Sequence, residues 1–396
     1  MGSIKEKFLP FNKPFIIGKE LEYISQAISS GKISGDGLFT KRCSELLGKR
    51  YSAKKILLTT SCSAALDISA ILANIVEGDE VITPSYTFTS TANSFYTRGA
   101  KIIFCEIRKD TLNMDEKLLK NLITEKTRVI VPVHYAGIVC EMSAIKDIAK
   151  KNNIFIVEDS AQAIESKYNG QYSGTLGDIG CYSFHETKNF ICGEGGAIVL
   201  NNDKYIERAE IIREKGTNRN KFYRGEVDKY TWLDIGSSYL PSEILSAFLY
   251  GQLEKADLIM KSRISSWNYY YTAFKELESG GYVNRPIIPE NCTHNAHMFY
   301  LLLNDESTRD LLISYLRAKN ILAVFHYLPL HLSPMGMKMG YKKGMFPVTE
   351  NISSRIVRLP LFYNISRKQQ HRVINNIYNF FKAKGYKKRK FQSAGF

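Results

Sequence analysis

An α/β fold with a mostly parallel, seven-stranded sheet flanked by helices, followed by a smaller C-terminal α+β domain, is what the 396-residue sequence predicts. Three observations carry this. Between residues 54 and 200, short β-rich runs alternate with helical patterns. Strands separated by helices need crossovers, so neighbouring strands run parallel, with ligands at their carboxyl ends. Beyond residue 255 the alternation gives way to fewer strands and longer helices. The predicted units are 1–255, a large α/β domain with an N-terminal segment; 256–384, a small α+β domain; and 385–396, a basic tail.

In chain order, the predicted strands are Lys55–Leu58, Glu80–Thr83, Lys101–Phe104, Arg128–Val133, Ile154–Val157, Gly180–Phe184 and Ala197–Leu200. Helical periodicity fills the gaps from Ser63, Ser90, Lys117 and Glu141. Helices around Pro241–Ile259 and Ser262–Leu277 lead into the second unit. That unit is expected to hold strands at Met298–Leu303 and Ile321–Phe325 and helices at Ser307–Lys319 and Arg367–Lys382.

Composition narrows the function classes. The longest apolar runs are strand-length, far short of the roughly 20 residues of a membrane span, so the chain is expected to be soluble, with no membrane partner. The N-terminus lacks an apolar signal region. Seven cysteines, an odd number with no C-x-x-C pair, point to reduced thiols in a cytoplasmic protein and away from a metal site. The net charge of +15 and the cluster "KGYKKRKF" at 384–391 raise nucleic acid as a partner, but no DNA- or RNA-binding motif accompanies them. Attraction for anionic, phosphate-bearing small molecules is the more economical consequence.

Four short segments carry chemistry. "TTSCSAALDISA" (59–70) places hydroxyls and small residues between a strand and a helix start, where backbone N–H groups bind phosphate; an N-cap serine without ligand is the plainer reading. "TPSYTFTSTAN" (83–93) puts Tyr86 and Phe88 past a strand end, as core residues or as covers for a flat ring. In "IFIVEDSAQA" (154–163), Glu158 and Asp159 close a strand and face a ligand crevice or cap the next helix. "CYSFHETKNF" (181–190) sets Lys188 between a strand and the glycine pair of "EGGAIVL". A phosphate site, a ring-covering aromatic, a strand-end aspartate and a lysine, in that order, are what pyridoxal phosphate requires. Each is a weak signal; their joint order is not.

These residues resemble the DegT/StrS group of sugar aminotransferases, which are fold-type I pyridoxal-phosphate enzymes. The resemblance runs from "LPFNKP" (9–14) through "SYTFTSTANSF", "VEDSAQA", "SFHETKN" and "GEGGAIVL" to "AVFHYLPLH" and "RLPLFYN". "EKGTNR", "VDKYTWLDIGSSYL" and "AVFHYLPLH" are similar to the branch acting as dTDP-4-amino-4,6-dideoxygalactose transaminases.

The resemblance implies that Lys188 is the Schiff-base lysine, that Asp159 pairs with the pyridinium nitrogen, and that Gln162 lies against the ring hydroxyl. It implies stacking by Phe88 and phosphate binding by Cys62, Ser63 and Ser183. Many relatives carry Gly-Thr at the Cys62-Ser63 position; a hydroxyl is kept. Many also carry an asparagine that reaches the neighbouring subunit's phosphate, where this chain has Ser238. The implied assembly is a homodimer with shared active sites, and the implied substrates are L-glutamate and a nucleotide sugar. The strip "REKGTNRNKFYR" (213–224), with Arg219, is a candidate pyrophosphate binder or a solvated helix end. His326, Tyr327 and His331 are candidate sugar or cofactor contacts, and His134 a strand-end histidine, each with a structural alternative. A dehydratase, which carries histidine in place of the lysine, is disfavoured by Lys188. A non-catalytic cofactor-binding sensor stays open, as do amination at C-3 or of a UDP-sugar.

Overall fold

The computed structural model describes residues 7–383 and 385; the predicted basic tail lies outside them except for Gly385. All seven predicted strands are present: β1 (Lys55–Thr59), β2 (Glu80–Pro84), β3 (Lys101–Cys105), β4 (Thr127–Ile130), β5 (Phe155–Asp159), β6 (Ile179–Ser183) and β7 (Gly196–Leu200). They form one sheet in the order β1-β7-β6-β5-β4-β2-β3. β7 runs antiparallel to both its neighbours, and the other adjacent pairs are parallel. Because β7 is reversed, its first residue, Gly196, lies at the edge where β1 and β6 end: Thr59 and Ser183 are both in register with it.

The sheet is apolar on both faces because helices cover both, as a parallel sheet requires. Helix α1 (Glu20–Ser29) and helix α2 (Leu38–Tyr51) precede β1, and α3 (Cys62–Leu72) follows it. The Ser61 hydroxyl caps α3 by accepting from the Ala64 N–H at 3.0 Å. Alanines at 65 and 70 let that helix pack closely on the sheet core of Val157, Ile179 and Ile198. Helix α4 (Thr89–Tyr96) follows β2, and α5 (Met142–Asn152) buries Met142, Ile145, Ile148 and Ala149. Full burial of each large aliphatic side chain contributes about 1.5–3 kcal/mol. The helix expected from Lys117 is a single turn, Leu119–Leu122, held by one buried leucine.

Helix α6 (Glu243–Leu253) leads to α7 (Ala256–Ala273), which starts in the first core with Ala256 and Ile259 and ends in another with Trp267 and Tyr270. That second core gathers around a three-stranded antiparallel sheet of β8 (Val283–Asn284), β9 (Phe299–Leu303) and β10 (Ile356–Leu359). Helices α8 (Glu306–Ala318) and α9 (Arg367–Ala383) cover it. Leu9 packs in this core and bridges to Ile321, so the N-terminal segment, expected with the larger unit, also serves the smaller one.

The strand expected at Ile321–Phe325 does not form. The segment makes one bridge to Leu9 and one from Val324 to Arg358, with different partners on its two sides, too few to make a ladder. No helix among the described residues is long and apolar enough to cross a membrane, and no cluster of His, Cys, Asp and Glu there is suited to a metal. All seven cysteines are free thiols.

Candidate active site

A cavity of about 920 Å³ opens where the carboxyl ends of β5 and β6 meet the C-terminal unit. Cys62, Ser63, Phe88, Asp159, Gln162, Ser183, Lys188, His326 and Tyr327 all line it. Chain neighbours cannot explain that convergence. The first three residues come from helix starts, the next four from strand ends or the loops after them, and the last two from more than 130 residues further on.

At one end, Ser183 closes β6 beside the start of α3. A Cβ on Gly196 would sit 2.3 Å from the Ser61 carbonyl carbon and 2.4 Å from the Cys62 nitrogen. Those are backbone atoms, so only glycine permits this approach of β7 to the helix N-terminus. A Cβ on Gly195 would meet the Cys192 sulfur at 2.5 Å, which accounts for the second glycine of the pair. The Ser63 and Ser90 hydroxyls lie 2.6 Å apart, joining the starts of α3 and α4. Helix N–H groups and hydroxyls of this kind suit a phosphate.

Asp159 ends β5. Its Oδ2 accepts from the Thr91 hydroxyl at 2.7 Å and its Oδ1 from the Ala161 N–H at 3.1 Å, which fixes the carboxylate at the cavity wall. Glu158, one residue earlier, points to the opposite face, as strand alternation demands. It accepts from the N–H groups of Gly174, Leu176 and Gly177 at 2.6–2.8 Å and meets His134 Nε2 at 2.8 Å. His134 Nδ1 accepts from the Cys140 N–H, so the proton is on Nε2 and the pair is a buried structural one, outside the cavity.

Gln162 is oriented from both ends: Oε1 accepts from the Ala136 N–H at 2.8 Å, and Nε2 donates to the Tyr327 hydroxyl at 3.0 Å. Phe88, 56% exposed, presents its ring 6.2 Å from that of Tyr327. Tyr327 stacks on His326 at 3.6 Å, and His326 Nδ1 meets the Tyr135 hydroxyl at 2.6 Å. Burial pushes the His326 ring well below its ordinary pKa, so the imidazole is neutral.

Lys188 sits in a turn closed by its own N–H donating to the His185 carbonyl at 2.9 Å. Its amine makes no hydrogen bond or ion pair among the described residues. Burial lowers its pKa, an effect opposed by the Cys62 thiol and the Asp159 carboxylate and reinforced by the Arg358 charge. The next residue, Asn189, anchors the turn across the two units. Its Nδ2 donates to the Asn295 carbonyl at 2.7 Å, and its Oδ1 lies 3.1 Å from His297 Nδ1.

Three expected residues are elsewhere. His331 is fully buried between Ser85 and Glu350, at 2.7 and 3.0 Å, and does not reach the cavity; both ring nitrogens are used in packing the chain. Ser238 and Arg219 line a second cavity of about 560 Å³, with Asp36, Arg213 and Lys215. Among the cavity residues that the sequence does not single out are His185, Glu194, His297 and Arg358. The strip "RLPLFYN" held the only signal for Arg358, an arginine inside an apolar run.

The donor set fits pyridoxal phosphate: a backbone cradle that a side chain at 196 would fill, a fixed buried carboxylate, an amide, an exposed aromatic and an unpaired amine. Residues 14–378 match the profile of the DegT/DnrJ/EryC1/StrS aminotransferase family. An uncharacterised protein of Methanocaldococcus jannaschii is 34% identical over 94% of this chain and 98% of its own. A protein named GDP-perosamine synthase, from Escherichia coli O157:H7, is 29% identical over 96% and 100%. Among solved structures, the putative sugar aminotransferase Spr1654 of Streptococcus pneumoniae in its pyridoxal-phosphate form has a TM-score of 0.88 at 25% identity, covering 95% of this chain and 99% of its own. The same protein is known in a pyridoxamine-phosphate form. With the cavity's donor set and the match along nearly its whole length, the chain belongs to the DegT/DnrJ/EryC1/StrS family and is a pyridoxal-phosphate-dependent sugar aminotransferase.

Proposed function

We propose that this aminotransferase moves the amino group of L-glutamate to C-4 of dTDP-4-oxo-6-deoxy-D-glucose. The products are 2-oxoglutarate and dTDP-4-amino-4,6-dideoxy-D-galactose, the latter for a surface polysaccharide. The observation that carries the sugar assignment is the segment "AVFHYLPLH", which resembles the dTDP-sugar branch and lies with His326 and Tyr327 against the cavity.

In this reading Lys188 is the covalent anchor, Asp159 faces the ring nitrogen, Gln162 the ring hydroxyl and Phe88 the ring face. Ser63, Ser183 and the N–H groups at Cys62 hold the phosphate. Pyridoxal phosphate, when bound, supplies a carbonyl that takes up and releases the amine and a ring that accepts electrons. Asp159, fixed by Thr91 and Ala161, keeps a proton at that ring's nitrogen. Lys188 moves a proton at Nζ, and a free lysine of pKa about 10.4 is a poor base at neutral pH, so the lowering by burial serves this role.

The proposal includes a homodimer. Tyr230, Trp232, Leu233 and Ile235 are exposed together, Trp232 by 78%, on the segment that leads to Ser238 beside the second cavity. The relatives named GDP-perosamine synthase favour a second reading, a GDP-linked sugar. The test incubates purified protein with glutamate and dTDP-4-oxo-6-deoxyglucose and locates nitrogen in the product by NMR. An axial amine at C-4 is expected. An equatorial amine, nitrogen at C-3, or turnover only with a GDP- or UDP-sugar sinks the substrate assignment.

A further inference from the structure

The segment 295–298 runs between the two units and is held by buried polar side chains. Arg263, fully buried on α7, donates from Nε to the Ala296 carbonyl at 3.2 Å and from Nη2 to the His297 carbonyl at 2.6 Å. Trp267, one turn further along the same helix, donates to the Met298 carbonyl at 3.1 Å. Asn295 donates to the carbonyls of Gln162 and Ile164 at 2.9 and 2.8 Å, and its Oδ1 accepts from the His297 N–H at 3.0 Å. Ala296 is left at φ 51°, a left-handed backbone that persists only where its surroundings over-determine it. Three held carbonyls and that φ fix where the next side chain, His297, points.

His297 lines the main cavity together with Lys188, and its tautomer follows from its partners. Asn189 Nδ2 donates to the Asn295 carbonyl at 2.7 Å, so Asn189 Oδ1 is the acceptor for His297 Nδ1 at 3.1 Å, and the imidazole proton sits on Nδ1. Burial and the charges of Lys188, Arg263 and Arg358 hold the ring well below its ordinary pKa, so it is neutral and Nε2 keeps its lone pair. Among the described residues, Nε2 makes no hydrogen bond. Neither does the Lys188 amine, on the residue next to the asparagine that orients the ring. Two other acceptors lining the cavity are engaged: Asp159 by Thr91 and Ala161, and Gln162 Oε1 by the Ala136 N–H. Cys62 and Asp159 also bear on Lys188 from the strand ends, and Arg358 and His326 from the facing wall.

We propose that His297 is a positioning residue for Lys188: its Nε2 takes a hydrogen bond from Nζ whenever that amine carries the proton it moves. This rests on the reading of Lys188 as proton carrier given above. Burial makes Lys188 a better base, and it equally penalises the ammonium that forms once a proton has been taken. A carboxylate placed beside the amine would stabilise that ammonium, but it would also raise the pKa and undo the first effect. A neutral lone pair supports the protonated amine with a far smaller rise. The ring also gives the charged amine a direction, because Asn189 ties it to the turn that carries Lys188.

The test compares the wild type with three variants. His297→Gln keeps an acceptor near the Nε2 position, His297→Asn keeps a donor to Asn189 and loses that acceptor, and His297→Phe keeps the volume and loses both. In the full chain freed of cofactor, the pH dependence of Lys188 carbamylation by cyanate, read by peptide mass spectrometry, follows the unprotonated amine. His297→Phe should move it to lower pH, because the ammonium loses its partner, and His297→Gln should restore it. In the holoenzyme, His297→Asn and His297→Phe should lower kcat by about 10- to 50-fold in both half-reactions, with the glutamate KM within about threefold, and His297→Gln should recover most of the rate. The opposite ranking, with His297→Asn active and His297→Gln impaired, would make the ring a structural tie and overturn the proposal. A loss confined to one half-reaction would also overturn it, by marking a substrate contact, as would an unchanged carbamylation profile in His297→Phe. Should His297→Asn fail to fold, His297→Gln and His297→Phe decide by the same measurements. If Lys188→Ala keeps its activity, the reading of Lys188 as carrier falls, and the carbamylation profiles still decide whether His297 holds its amine.

Discussion

On the strand-end wall of the cavity, Asp159, Ser183 and Gly196 owe their positions to the register of β5, β6 and β7, a framework of backbone hydrogen bonds buried on both faces. On the facing wall, Arg358 stands on β10, while His326 and Tyr327 depend on ring stacking and a tyrosine hydroxyl, in a stretch joined to that strand by a single bridge. The first wall is rigid and carries groups that any pyridoxal-phosphate aminotransferase needs. Apart from Arg358, the second is assembled from side-chain contacts, where substitution alters shape without breaking a ladder. On the proposed roles, reaction type resides in the sheet, and choice of substrate in the smaller unit.

The hardest strike against this division falls on Lys188. Lys188→Ala should reduce turnover on the order of 10⁴-fold or more, because the proposed anchor and proton carrier vanish together. The fold should survive, since no side-chain hydrogen bond is lost. Activity within tenfold of wild type would show that the strand-end wall does not set the reaction.

The next strike separates two adjacent carboxylates. Asp159→Asn should lower kcat by about 10²–10³-fold with the melting temperature nearly unchanged, since it touches a developing charge rather than a structural knot. Glu158→Gln should do the reverse. It replaces the acceptor of three backbone N–H groups and a histidine with a group that is half donor, costing about 2–4 kcal/mol, while the folded enzyme keeps its rate within about threefold. Paired melting curves and kinetics decide this, and equal rate losses would erase the distinction between the two faces of β5.

Much of the first wall was legible in the sequence. Short apolar runs ending in Asp159, Ser183 or a small-residue turn mark strand ends, and the order of the cofactor motifs follows the order of those ends. Alternation says only that Glu158 and Asp159 oppose each other; the family resemblance singles out Asp159, and it is Asp159 that lines the cavity. The second wall was read in fragments. The apolar first half of "AVFHYLPLH" has the local pattern of a strand but forms only isolated bridges, and nothing local distinguishes the buried His331 from a ligand contact. Burial between Ser85 and Glu350 is a long-range fact that no local pattern carries. Arg358 and His297 reach the cavity only through the pairing of β9 with β10 and the Asn189 anchor, contacts between residues up to 170 positions from Lys188.

The smallest effect falls on the contact that joins the walls, Gln162 to Tyr327. Tyr327 holds a left-handed backbone at φ 35°, uncommon for a tyrosine, and its neighbour's carbonyl is fixed by the Tyr86 hydroxyl at 3.1 Å. Its own hydroxyl accepts from Gln162 Nε2, whose other end stays fixed by Ala136. Tyr327→Phe keeps the ring, the stack on His326 and the backbone, and removes only this acceptor. The expected cost is about 1 kcal/mol, or roughly fivefold in kcat/KM, with no shift in melting temperature beyond about two degrees. The loss should appear in the sugar half-reaction more than in the glutamate half, since the facing wall is argued to choose the sugar. A loss equal to that of Asp159→Asn would make Tyr327 part of the reaction machinery and move the boundary between chemistry and recognition across the cavity.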